Sequence, residues 1–291
     1  MSEPQRTNSQ SVIAIIIATS LGALVAWAGS TGSVHYNNIP LFALCAIVAF
    51  AINWIVFVPS ALGRTEKFYD LTGGLSYISV TALAVLLAPT LDLRGQLVAA
   101  CVVIWSVRLA TFLFRRISKD GKDGRFDDIK GRPVRFLMAW TLQGLWVVFT
   151  AAAALAVITS AQRVPLGIVG ILGLSIWLIG FIIEVVADNQ KSHFKSDPAN
   201  AGKFINVGLW SRSRHPNYFG EIVLWIGIAV VALPVLKGWQ FVTLISPVFV
   251  TLLLTRVSGV PLLERRSDER WGGQADYEDY KRTTPVLIPK L

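Results

Sequence analysis

Charge is scarce in this chain, and so are histidine and cysteine. Only 15% of its 291 residues are Asp, Glu, Lys or Arg, against about a quarter in a soluble globular domain. That shortfall argues against a water-soluble fold of this size. The three histidines are His35, His193 and His215, and none is matched with another in facing apolar runs. A membrane cytochrome with bis-histidine haem is therefore not expected. The two cysteines, Cys45 and Cys101, both fall inside long apolar runs. They read as small buried apolar residues rather than a disulfide framework. No Cys/His cluster has zinc spacing, and no metal site is expected. No G-x-G-x-x-G follows a strand and no Walker loop is present. There is no internal repeat and no low-complexity segment.

Apolar residues, by contrast, make up 53% of the chain. They cluster in runs of roughly 17–25, the length that crosses a bilayer core as helix. The runs fall at 12–30, 39–61, 72–90, 96–115, 136–158, 165–188, 219–236 and 239–256. Only Leu236, Lys237 and Gly238 separate the last two, so these form a short hairpin pair. The pattern predicts an all-α polytopic membrane bundle of about eight transmembrane helices, with residues 1–291 as a single domain. The polar first ten residues and the long run that follows predict an anchor rather than a cleaved leader.

The net charge of +9 is unevenly placed. With eight spans, 23 of the 27 Lys and Arg fall in the N-terminus, the C-terminal tail and the loops after spans two, four and six. Only Arg94, Arg163 and Lys237 fall on the other side, and Arg108 lies within a span. The positive-inside tendency then puts both termini and the long loops in the cytoplasm. Attraction to anionic headgroups explains part of this excess, with membrane lipids as partners. No nucleic acid and no obligate protein partner are expected. The location read from this is a bacterial inner membrane, with the working surface facing the cytoplasm.

Ionisable groups at membrane depth are costly and mark candidate function. Arg108 lies in span four and Gln143 in span five. Glu184 and Asp188, four residues apart near the end of span six, share a helix face, with Arg108 as their candidate counter-charge. Glu66, Tyr69 and Asp70 precede span three. A phenol beside carboxylic acids can polarise a ketone. The same residues also suit a helix start with acids in its first turn. Gly167, Gly170 and Gly173, repeating every three residues, predict close helix packing rather than a phosphate loop.

The most informative stretch is 203–221. It combines Lys203, Arg212 and Arg214 with aromatic and turn residues, then starts a helix near Asn217. A helix N-terminus beside arginine is an anion site. Glu221, one turn inside, can accept from an amide or hydroxyl of the same ligand. The chemistry suits a nucleotide or phosphorylated cofactor.

Residues 208–221, with Ser213-Arg214-His215-Pro216-Asn217-Tyr218-Phe219-Gly220-Glu221, resemble the C-terminal signature of the steroid 5-alpha-reductase family. Sterol reductases and isoprenylcysteine carboxyl methyltransferases share a related version. The tail from Tyr277 to Pro289 resembles the reductase tail. The likeness covers about 180–291, the expected cofactor-binding part. It implies an oxidoreductase with NADPH held by Asp188, Lys195, Arg212, Arg214, His215, Asn217, Tyr218, Glu221, Tyr277 and Tyr280, and with Arg108 and Arg125 adding charge. It implies reduction of the conjugated C=C bond of a lipophilic enone, steroid-like or terpenoid, that reaches the site from the bilayer. The animal enzymes polarise the substrate with a Gln-Glu pair and a later tyrosine. This chain has no such pair, and Glu66, Tyr69 and Asp70 are the nearest substitute as catalytic groups. The alternative is an S-adenosylmethionine-dependent membrane methyltransferase of a lipid or isoprenylcysteine carboxylate. Asn217, Glu221 and Asp188 look more like the reductases.

Overall fold

The computed structural model describes residues 8–120 and 124–290, and for residues 113–120 and 125 the backbone only. Arg6, Arg115, Arg116, Lys119, Lys122 and Arg125 therefore lie outside the described side chains. Among the described residues the fold is all-α apart from one two-stranded hairpin. Eight helical segments of the described residues are long and apolar enough to cross a membrane, as the runs predict, and the protein is an integral membrane protein.

The chain divides into two compact units. The first comprises Met1–Gly167 and Val231–Ile245, the second Ile168–Val230 and Ser246–Leu291.

The first unit contains α1 (Asn8–Ser30), α2 (Leu41–Leu62), α3 (Tyr69–Leu87), α4 (Leu93–Asp120) and α5 (Pro133–Ile158). Proline at the first position of α5 is preorganised for a helix start, where its missing N–H is no loss. In α5, 89% of the apolar window is buried, against 28% in α1, so α5 is the central helix of this unit. Its small-residue tract Ala151–Ala154 lets neighbours approach closely. The hairpin pairs β1 (His35–Tyr36) with β2 (Ile39–Pro40). Asn37 and Asn38 both have positive φ, 47° and 65°, the backbone that a tight two-residue turn needs.

Two of the three cations on the sparsely charged side bind backbone carbonyls in this unit. Arg94 is 1% exposed, and its guanidinium donates to the carbonyls of Val231, Pro165 and Leu166 at 2.6, 2.6 and 2.8 Å. Arg163 donates to Ser160 O and to the hydroxyl and carbonyl of Thr90.

The second unit contains α6 (Gly167–Ser196), α7 (Pro216–Ala232), α8 (Ile245–Leu252), α9 (Val260–Trp271) and α10 (Ala275–Thr283), with α6, α7 and α8 running across its boundaries by a residue or two. The packing expected of the α6 glycines is found at Gly173 and extends to Gly180. A Cβ on Gly180 would lie 2.5 Å from Leu224 N and 2.6 Å from Gly220 O. One on Gly227 would lie 2.6 Å from Gly173 O. The two helices touch backbone to backbone at these positions, as glycine permits.

The eighth span differs from its expected 239–256. Helix α8 widens into a π-turn at Leu253–Val257, breaks at Ser258 and Gly259, and resumes as α9. A Cβ at Gly259 would meet Leu254 O at 2.5 Å and the Tyr218 ring at 2.9 Å, so a side chain does not fit at this break. The tail after 257 is largely helix, in α9 and α10, which are too polar to be read as spans from apolar run length.

Candidate functional site

The loop between α6 and α7 is held by specific side chains. Gly208 has φ of 62° and starts a short 3-10 turn, Gly208–Ser211. Gln190 of α6 accepts from the N–H of Leu209 at 2.9 Å. The Trp210 indole donates to Ala187 O at 3.0 Å, and the Lys191 ammonium lies 4.4 Å from the Trp210 ring centre. These contacts pin the turn against the C-terminal part of α6.

The chain's tail then straps the motif from the other side. Arg214 N–H donates to Pro285 O at 2.9 Å, Ser213 Oγ to Leu287 O at 2.8 Å, and Lys290 N–H to Arg212 O at 2.9 Å. The two segments that resemble a common family are therefore in direct contact. The Ser213 hydroxyl also accepts from His215 N–H at 3.2 Å.

Within this unit a cavity of about 340 Å³ opens between the end of α6, the loop, α9 and α10. Six cations line it: Lys191, Lys195, Lys203, Arg214, Arg266 and Arg270. Glu264 is the one carboxylate in the lining among the described residues. Aromatic rings form much of the remaining wall, with Phe204 at their centre, 5.2 Å from Tyr277, 5.3 Å from Tyr280 and 6.0 Å from Trp271. Cations beside flat rings suit a ligand that joins phosphate to a planar base.

Of the expected cofactor residues, the cavity gathers Lys195, Arg214, His215, Tyr277 and Tyr280. Tyr277 donates to Asp268 at 2.9 Å and Tyr280 to Trp210 O at 2.6 Å. Burial pushes both phenols well above the ordinary tyrosine range, so both stay neutral donors. Tyr218 does not line the cavity but stacks on the His215 ring, 5.6 Å between centres and 8° between planes. Asp188 accepts from the Asn217 amide at 3.0 Å, joining α6 to the start of α7. Asn217 Oδ1 is buried with no partner among the described residues. Glu221 lies in the second turn of α7. Arg212 is exposed and outside the cavity lining, so Arg214 is the loop arginine that faces it.

Arg108 belongs to α4 in the first unit, with its guanidinium 5.5 Å from the Phe112 ring centre. The expected catalytic trio is in that unit as well. Glu66 is buried and pairs with Lys130 at 3.1 Å. The Tyr69 hydroxyl donates to Ala139 O at 3.0 Å, inside an aromatic cluster with Phe126, Phe136 and Trp140. Gln143, the other polar group of the fifth span, donates to Tyr69 O at 3.0 Å. Asp70 is in the first turn of α3, where an acid complements the helix dipole.

Glu264 was not anticipated. One of its oxygens lies 2.9 Å from an Arg214 terminal nitrogen and the other 2.7 Å from His215 Nε2. Burial lowers the His215 pKa, and Lys191 and Arg214 lower it further against the pull of Glu264, so the ring is neutral at neutral pH. Helical spacing across Leu263, Glu264, Ser267, Arg270 and Trp271 could have pointed to this face, had 260–271 been read as helix.

Fold and site together define a polytopic α-helical membrane protein with a cation-rich, aromatic-lined cavity at the end of its sixth span. A family model described as a protein of unknown function, DUF1295, matches residues 56–284, and the chain belongs to that family. It is similar to 3-oxo-5-alpha-steroid 4-dehydrogenase 1 of Mus musculus, 28% identical over 120 residues, 41% of each chain. The Bos taurus protein of the same name is 28% identical over 119 residues, again 41% of each. The probable O-methyltransferase ustE of Ustilaginoidea virens is 30% identical over 97 residues, 31% of this chain and 34% of the relative. The match spans about two fifths of the length of the steroid dehydrogenases. The resemblance read from the loop and tail thus has counterparts among characterised proteins. No solved structure matches the chain.

Proposed function

We propose that the protein is a membrane-embedded, NADPH-dependent reductase of the conjugated C=C bond of a lipophilic enone, steroid-like or terpenoid. The observation that carries this reading is the cavity of the second unit, where six cations and a wall of aromatic rings surround Arg214 Nε and His215 Nδ1, both buried and without a partner among the described residues. The likeness to 3-oxo-5-alpha-steroid 4-dehydrogenases supports the choice of reaction.

The residues present fit a dinucleotide carrying several phosphates. Lys191, Lys203, Arg214, Arg266 and Arg270 would neutralise that charge, and Phe204, Trp271, Tyr277 and Tyr280 would bound the flat rings. Asp188 and Asn217, fixed to each other, would orient the polar groups of the ligand, with Glu221 one turn further along α7. When bound, NADPH supplies a hydride to the β-carbon of the enone. Of Glu66, Tyr69 and Asp70, Tyr69 is the candidate for donating a hydrogen bond to the enone oxygen and holding the developing enolate charge, while Glu66, paired with Lys130, and Asp70, at a helix start, would flank it as carboxylates. Tyr69 would exchange its bond to Ala139 O for one to the substrate. A proton delivered to the α-carbon completes the saturated ketone.

The working surface is assigned to the cytoplasm of a bacterial inner membrane on the charge asymmetry, with both termini on that side and the substrate arriving from the bilayer. The similarity to an O-methyltransferase favours a second reading, methyl transfer from S-adenosylmethionine to a lipid carboxylate. The cavity opposes it, because a sulfonium with an ammonium group would face six cations.

The test is enone-dependent oxidation of NADPH by the purified protein in lipid nanodiscs, with a 3-oxo-4-ene steroid and a terpenoid enone. Tyr69→Phe is expected to lower kcat by roughly a hundredfold, within the range for loss of one acid or oxyanion donor. A variant that loses stability yet keeps its turnover would remove Tyr69 from the mechanism. Methyl transfer without NADPH oxidation would overturn the reductase reading.

A further inference from the structure

His215 and Arg214 line the cavity, and both depend on one side chain of α9. Glu264 accepts from His215 Nε2 at 2.7 Å through one oxygen and holds an Arg214 terminal nitrogen at 2.9 Å through the other. A carboxylate paired with arginine only accepts hydrogen bonds, so the proton of this contact belongs to His215 Nε2. The imidazole is neutral, since burial and the neighbouring Lys191 and Arg214 resist a second proton. A neutral ring protonated at Nε2 carries a lone pair at Nδ1. That Nδ1 is buried and has no partner among the described residues, and the same is true of Arg214 Nε. Rotation of the ring is opposed by Tyr218, stacked on it at 8°, and the Ser213 hydroxyl holds the His215 backbone N–H.

We propose that Glu264 is a positioning residue that fixes His215 as the Nε2–H tautomer and braces Arg214, so that His215 Nδ1 accepts a hydrogen bond from a hydroxyl or amide of the bound nucleotide. The ligand half of this inference rests on the nicotinamide-nucleotide reading above, and the tautomer half does not. Arg214 supplies the positive charge and His215 the neutral acceptor, and the shared carboxylate keeps the two roles distinct. Such a pair discriminates a ligand that offers both an anion and a hydroxyl from a simple anion.

Nitrogen NMR of protein labelled at histidine tests this directly. Only three histidines contribute signals, and His215→Gln identifies the one that matters. In the resting protein at neutral pH, His215 is expected to show a protonated Nε2 and a bare Nδ1. NADPH should move the Nδ1 resonance towards lower frequency as it accepts a hydrogen bond. Glu264→Ala should release the tautomer and weaken NADPH binding roughly tenfold or more, the scale of a lost charge-assisted hydrogen bond. Glu264→Gln retains an acceptor for Nε2–H but not the charge for Arg214. It should therefore keep the tautomer and lose part of the affinity, even if the alanine variant fails to fold. An Nδ1–H tautomer or an imidazolium in the resting protein would overturn the proposal. So would a His215 signal unchanged by Glu264→Ala. The expected tautomer in a protein that binds no NADPH would instead sink the nucleotide reading and leave the Glu264–His215 assignment standing.

Discussion

His215 titrates under opposing influences. Burial, Lys191 and Arg214 hold its pKa below the ordinary 6.5, while Glu264 pulls upward without restoring it. As pH falls through 6.5 the unfolded chain takes up the proton before the folded one does. The stability this residue contributes is therefore complete above that value and is lost progressively below it. The melting temperature in detergent should fall between about pH 7 and about pH 5, and fall less steeply in His215→Gln. Parallel curves for the two proteins would mean that His215 binds protons equally in the folded and unfolded chain, and would contradict the lowered pKa. At this scale the sequence was legible where a residue's role follows from its own motif. Arg214, His215 and Asn217 stand out in the sequence as a polar cluster ahead of an apolar run, and Asp188 as an acid near the end of the run before it. Glu264 does not, because its role comes from partners about 50 positions away in sequence, within a segment that carries no apolar signal.

Helix α6 meets α7 through paired glycines, and that contact sets where Asp188 and Asn217 stand. Gly180 faces the backbone of Leu224 and Gly220, so an added methyl meets atoms that cannot rotate away. Gly180→Ala should cost about 1–3 kcal/mol in stability by overpacking. Gly131→Ala, where a Cβ meets nothing within 4 Å, is the matched control. Equal melting temperatures for the two variants would mean that α6 and α7 can separate at no cost. The glycine spacing in span six announced close packing, yet it could not name the partner helix. Spans one to seven were located by apolar run length, but the helices of the fourth and sixth run past their expected ends at 115 and 188, to Asp120 and Ser196. The end of the eighth was not legible in this way, since the π-turn and the break at Gly259 are set by the approach of Tyr218 and Leu254 O.

Across the whole molecule, the uneven distribution of Lys and Arg is the basis for orientation. Arg94 and Arg163, on the sparsely charged side, are both engaged with backbone carbonyls, which gives each a packing role there. The native cysteines, Cys45 and Cys101, are buried, which favours site-directed labelling. An impermeant maleimide added to intact cells should label Lys237→Cys and not Ala201→Cys, and inverted vesicles should reverse the pattern. Labelling of both positions from one side would break the eight-span topology. The number of spans and the helical class were legible because lipid leaves so few ways to satisfy a backbone. The division into two compact units was not, since apolar runs look alike whichever helices they pack against.

The central claim is that the cavity of the second unit binds NADPH. The most direct measurement is a thermal-shift titration of the purified protein with NADPH, NADH and S-adenosylmethionine side by side, since a ligand that binds only the folded state raises the melting temperature with its concentration. Stabilisation by NADPH that is lost in Arg214→Gln is the predicted result. Stabilisation by S-adenosylmethionine alone would contradict it and assign the cavity to methyl transfer.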